Sequence, residues 1–195
     1  MITKAKQKPL RRLDRWWQGL YERNYIPQVE AKVRARARNL ANKESSALQF
    51  ADIVGDCFSR KYTLICAGMF FSEFYVNLQE ALQIEEMRDQ QEAFNFHYQH
   101  LDQLVDEVGR RLEKVDSQEK EEQEIVKLIR ERFRSKADLV QFKQSHHQVQ
   151  RLIAYQWWKD KKIDENKFVI MGLVARIERE ITPYIVREII GHLYR

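Results

Sequence analysis

Apolar side chains in this chain recur at steps of three, four and seven. From Pro27 they run Val29, Val33, Leu40, Ala47, Ala51, Val54 and Phe58, which keeps one face of a helix with the proline in its first turn. The densest apolar stretch is YTLICAGMFFSEFYVNL, residues 62–78. At helical spacing Glu73, Asn77 and Glu80 form one narrow polar stripe on it, leaving apolar side chains around the rest of the circumference. Such a helix needs cover from several others, so it is expected to be the axis of a bundle. A membrane span would want roughly 20 uninterrupted apolar residues, and here Glu73 and Asn77 interrupt while Arg60 and Lys61 stand immediately ahead.

The period continues through Leu82, Ile84 and Met87 to Phe94, Phe96, Tyr98, Leu101, Leu104, Val108, Leu112 and Val115. One rod of that length exceeds ordinary globular helices, so a break is predicted near residues 88–92. A polar connector, DSQEKEEQE at 116–124, precedes a helix over about 121–134. ADLVQFKQSHHQVQRLIAYQWWK then carries Leu139, Phe142, Val149, Ile153, Trp157 and Trp158. Asp164 is placed to cap a further helix with Phe168, Met171, Val174, Ile177 and Ile181 on one face. Thr182 and Pro183 are expected to end it and start a last one. At the N-terminus, PLRRLDRWWQGLYERNY reads as a short helix interrupted near Gly19.

Composition agrees with this pattern. With 6 Gly and 3 Pro in 195 residues, little material exists for the tight turns of β-architectures. The reading is all-α, a helical bundle of six to eight helices. It spans one domain over 1–195 or two contiguous bundles, 1–115 and 120–195. Cys57 and Cys66 show no CxxC spacing, which predicts buried, reduced thiols and neither zinc nor a disulfide framework. Lys4, Lys6 and Lys8 are followed by no apolar h-region, so a cytoplasmic protein is expected. His97 and His100 lie three apart without a further ligand at helical spacing, and His146 and His147 are adjacent, a poor chelate on a helix. No metal or other cofactor is expected.

Charge changes the picture more. The net charge is +5, yet residues 1–43 hold 12 basic side chains against 3 acidic ones. Two stretches concentrate them. RRLDRWW places Arg11, Arg12 and Arg15 beside Trp16 and Trp17, where rings either stack on unpaired bases or pack the helix onto the core, packing being favoured for at least one of them. AKVRARARNLANK carries Lys32, Arg34, Arg36, Arg38 and Lys43 with no acid in the run. Arg34 and Arg38 fall on one flank of the apolar stripe and Lys32, Arg36 and Lys43 on the other. Like charges at i and i+4 repel, so the array calls for a polyanion or for acids from elsewhere in the fold, such as the 116–124 run. Arg60 and Lys61 extend the candidate set.

Three function classes follow. In its helical build, basic faces and lack of any Walker A, GxGxxG, HExxH or GxSxG motif, the chain resembles the small helical subunits of CRISPR interference complexes. That resemblance implies a non-catalytic subunit of a ribonucleoprotein assembly that holds a nucleic-acid strand by its phosphates and touches other subunits, or copies of itself, through apolar patches. The alternative rests on Arg187 and His192, whose R-x4-H spacing is similar to the loose motif of HEPN ribonucleases; this would imply RNA cleavage at a dimer interface. A protein-binding helical adaptor, with the arginines meeting a partner's acids, is the third. None of the three involves a membrane.

Overall fold

The computed structural model describes residues 2–44, 60, 64 and 67–195, with 40–44 and 192 described by backbone alone. The expectations for Leu40, Ala47, Ala51, Val54 and Phe58, the thiols Cys57 and Cys66, and the side chains of Lys43, Lys61 and His192 therefore lie outside the described residues. Seven α-helices occupy what is described: α1 (Lys4–Asn24), α2 (Pro27–Glu44), α3 (Phe70–Ala81), α4 (Arg88–Arg111), α5 (Gln118–Arg132), α6 (Lys136–Lys159) and α7 (Glu165–Ile189). Single 3-10 turns follow at Glu85–Met87, Leu112–Lys114 and Gly191–Tyr194. No strand is present among the described residues. The chain is all-α, a helical bundle.

Helix starts are set by side chains that satisfy the orphan N–H groups of the first turn. Ser135 accepts from the Asp138 amide at 3.2 Å while Asp138 accepts from the Ser135 amide at 2.9 Å, a reciprocal capping box on α6. Asp164 accepts from the Lys167 amide at 2.7 Å to open α7, as its position predicts. In α3 the cap comes from another helix. Asp14 of α1, buried in the core, accepts from the Phe71 amide at 2.7 Å, the Ser72 amide at 3.3 Å and the Ser72 hydroxyl.

Helix α3 packs against α1, α4 and α6. Its Phe70, Phe71, Phe74 and Leu78 are 1% exposed or less, so the described part of the 62–78 stretch does form the centre of the core. Trp17 of α1 meets Phe70 at 5.1 Å between ring centroids, and Phe142 of α6 meets Phe74 edge-on at 4.7 Å. One connected apolar cluster draws residues from all seven helices. The most extensive helix pair is α6 with α7, and α2 lies on α7 through Val29, Val33 and Ala37.

Three boundary expectations are corrected. Helix α1 runs unbroken through Gly19, because a single glycine costs a helix only about 1 kcal/mol and the buried Trp16, Trp17, Leu20 and Tyr21 on either side anchor it. Helix α7 runs through Pro183 to Ile189. Proline removes the N–H that would reach the Arg179 carbonyl, and Gln144 of α6 donates to that carbonyl instead, at 3.4 Å. Thr182 is buried and turns its hydroxyl back onto the Glu178 carbonyl at 2.8 Å, so it caps nothing. The acidic run, expected as a connector, is largely the first turns of α5, with Ser117 as N-cap and Glu119 and Glu121 against the positive end of the helix dipole. The predicted break before α4 exists slightly earlier, in the turn and 3-10 segment ahead of Arg88.

Candidate nucleic-acid interface

The two basic stretches belong to different neighbours. Helix α1 packs on α3, α4, α5 and α7, and its arginines lie along the acidic start of α5. Arg12 donates to the Leu112 carbonyl at 2.8 Å and lies 3.6 Å from Glu121, which commits it to holding α1 against the end of α4 and the start of α5. Arg23 pairs with Glu122. Arg11 and Arg15 are exposed, but Trp16 and Trp17 are 6% and 0% exposed and pack in the core. Neither indole face is open to a base.

On α2 the acid-free run is partly neutralised by acids outside it. Arg34 reaches back one turn to Glu30 at 2.8 Å. Arg36 pairs with Glu180 of α7 at 2.9 Å. The acids that answer the run thus come from Glu30 and Glu180, and the 116–124 run serves α1. Lys32 and Arg38 are exposed and enter no ion pair among the described residues. Arg60 is exposed as well.

Glu180 connects α2 to something the sequence did not single out. Its other carboxylate oxygen lies 3.7 Å from Arg176, so one acid stands between two guanidinium groups. Arg176 in turn lines a groove of about 580 Å³ between α6 and α7, together with Arg151, Tyr155, Phe168 and Gly172. A band of positive charge therefore runs from Lys32 and Arg36 across Glu180 to Arg176 and Arg151. Among the described residues, Glu180 is the carboxylate that lies between two of these cations. The signal was present in the spacing: Arg151, Tyr155 and Trp158 follow one another at four and three on α6, and Phe168, Gly172 and Arg176 at four and four on α7. Each half is unremarkable alone, and only the packing of α6 on α7 joins them.

A second cluster of polar side chains lies inside, where α3, α6 and α7 meet. His147 Nδ1 is 2.9 Å from Glu178, Asn77 is 3.4 Å from His146 Nε2, and Gln150 donates to Glu73 at 3.2 Å. Burial, together with the charge of Glu178, raises the Glu73 carboxyl above its ordinary value. Burial also works to raise Glu178, but the adjacent His147 outweighs it and holds that carboxyl low. Burial drives the His146 imidazole well below its usual range, leaving it neutral, and lowers His97 and His100 too. Among the described residues no group of three or more His, Cys, Asp and Glu could hold a metal. Arg187 is exposed on the last turns of α7, and its R-x4-H partner lies outside the described side chains. No described helix is long and apolar enough to cross a membrane.

No protein-family model, curated protein or solved structure matches the chain.

Proposed function

We propose that this protein is a non-catalytic nucleic-acid-binding helical subunit that holds a strand through its phosphates. The observation that carries this reading is the basic band from Lys32 and Arg36 through Arg176 to Arg151, in which one carboxylate, Glu180, serves two arginines. Guanidinium forks suit phosphate oxygens, and a strand lying on the band would replace the repulsion among its cations by attraction. Binding of this kind has little sequence preference and falls steeply with salt, because phosphate contacts release condensed counterions. An assembly role alongside other subunits, of the kind implied by the resemblance to CRISPR effector subunits, fits a chain that grips a backbone and carries no set of catalytic groups recognisable in its sequence.

The test is filter binding of a labelled oligonucleotide at two salt concentrations, with Lys32→Gln and Arg36→Gln combined. Each phosphate contact on a single strand contributes about 0.7 to the slope of log affinity against log salt. The double variant is expected to bind more weakly, with a slope shallower by roughly 1.4 if both cations meet phosphates. An unchanged affinity and slope would sink the reading, and acidic protein partners would then be the class to pursue.

A further inference from the structure

We infer that the groove between α6 and α7 takes one unpaired nucleotide, its base against Tyr155 and Phe168 and its phosphate at Arg151 and Arg176; this rests on the nucleic-acid reading above. The groove offers about 580 Å³, within the usual range for a small-ligand site. Two guanidinium groups line it, and no acid does among the described residues. Arg151 is exposed and enters no ion pair among the described residues.

The apolar wall is aromatic and held in place. Phe168 is backed by Trp158, the two rings 5.2 Å apart and 14° from parallel, and Tyr155 lies 6.1 Å from Phe168. Tyr155 and Trp158 are 39% and 38% exposed, so part of each ring meets solvent. Every base has a π-face, so such a platform accepts any unpaired base and rejects paired ones. At one end the Gln90 and Gln148 amides, 3.4 Å apart, supply donors and acceptors for a base edge.

Gly172 supplies an independent argument. It stands mid-helix in α7, its φ is not positive, and a Cβ placed on it would meet no atom of the described residues within 4 Å. Neither backbone conformation nor packing calls for glycine there, and alanine would make the better helix. What glycine does is keep the groove open. The space is thus maintained against helix propensity, which fits a site that must admit a flat ring.

The experiment uses the full chain and fluorescence anisotropy with three probes: a labelled oligothymidylate or oligouridylate, whichever binds more tightly, a duplex, and an abasic strand with the same sugar-phosphate backbone. The parent is expected to prefer the base-bearing strand over the abasic one by about tenfold, the worth of one stacked base. Gly172→Leu, whose side chain has room to fill the groove without a clash at Cβ, and Tyr155→Ala should each collapse that ratio towards one. The α2 double variant should weaken both strands and keep the ratio. A parent with no preference for bases, or a Gly172→Leu variant that retains it, overturns the groove assignment while leaving backbone binding intact. A parent that binds none of the probes overturns the nucleic-acid reading itself.

Discussion

Asp14 is the residue on which the start of the central helix depends. It caps α3 from a different helix, so truncating it leaves the Phe71 and Ser72 amides without their acceptor. An unsatisfied buried donor costs about 1–3 kcal/mol. Burial raises the Asp14 carboxyl to about 6, although hydrogen bonds from Ser72 and Phe71 pull it down. The folded chain therefore binds this proton more tightly than the unfolded chain does. The group's contribution to stability is full below its ordinary value near 3.8 and is lost as pH rises through about 6. Asp14→Asn keeps the carbonyl acceptor and cannot ionise. Its unfolding midpoint should match the parent's near pH 3 and exceed it at pH 7.5, whereas Asp14→Ala should be less stable than Asp14→Asn at both. Urea unfolding of the three proteins checks this, and equal parent and Asp14→Asn midpoints at pH 7.5 would refute the charged burial.

At the scale of elements, α7 tolerates a proline that a free helix would not. In a helix interior proline is about 3 kcal/mol worse than alanine, and the Gln144 bond to the Arg179 carbonyl recovers only part of that. Pro183→Ala should raise the thermal midpoint, by an amount corresponding to about 1 kcal/mol or more, as circular dichroism would record; a lowered midpoint would mean that the ring packs better than its missing N–H costs. The same helix marks where sequence reading stops. Local rules correctly gave the helical period, the cap at Asp164 and the burial of Phe70, Phe71, Phe74 and Leu78, since these depend on neighbours within a turn or two. The Thr182-Pro183 stop failed because the group that rescues the Arg179 carbonyl sits on α6. The acids that answer the α2 run come from two distances: Glu30 stands just before it on the same helix, and Glu180 arrives from 144 residues beyond Arg36. Arg151 and Arg176 each look like ordinary surface charges until α6 and α7 pair.

For the whole molecule, stability against pH is a contest between two buried populations. His97, His100 and His146 are all held below their ordinary value by burial, with the Lys143 and His147 charges adding to the effect at His146. As pH falls below about 6.5 the unfolded chain takes up these protons and the folded chain declines them, so this stabilisation is present above 6.5 and lost on acidification. Asp14 and Glu73, both raised, work in the opposite direction, because their contribution is lost as pH rises. Glu178, held low, acts in the same direction as the histidines, since its stabilisation is also lost on acidification. His146 should contribute to stability in the sense that is lost as pH falls below about 6.5. His146→Gln keeps an acceptor for Asn77, so it isolates the titration from the contact. Its stability, measured by urea unfolding at half-unit steps from pH 5 to 6.5, should fall less steeply on acidification than the parent's. Parallel slopes would show that His146 is protonated inside the fold, which would require a counter-charge from Glu73 or Glu178 and would recast the interior cluster as an ion-paired one.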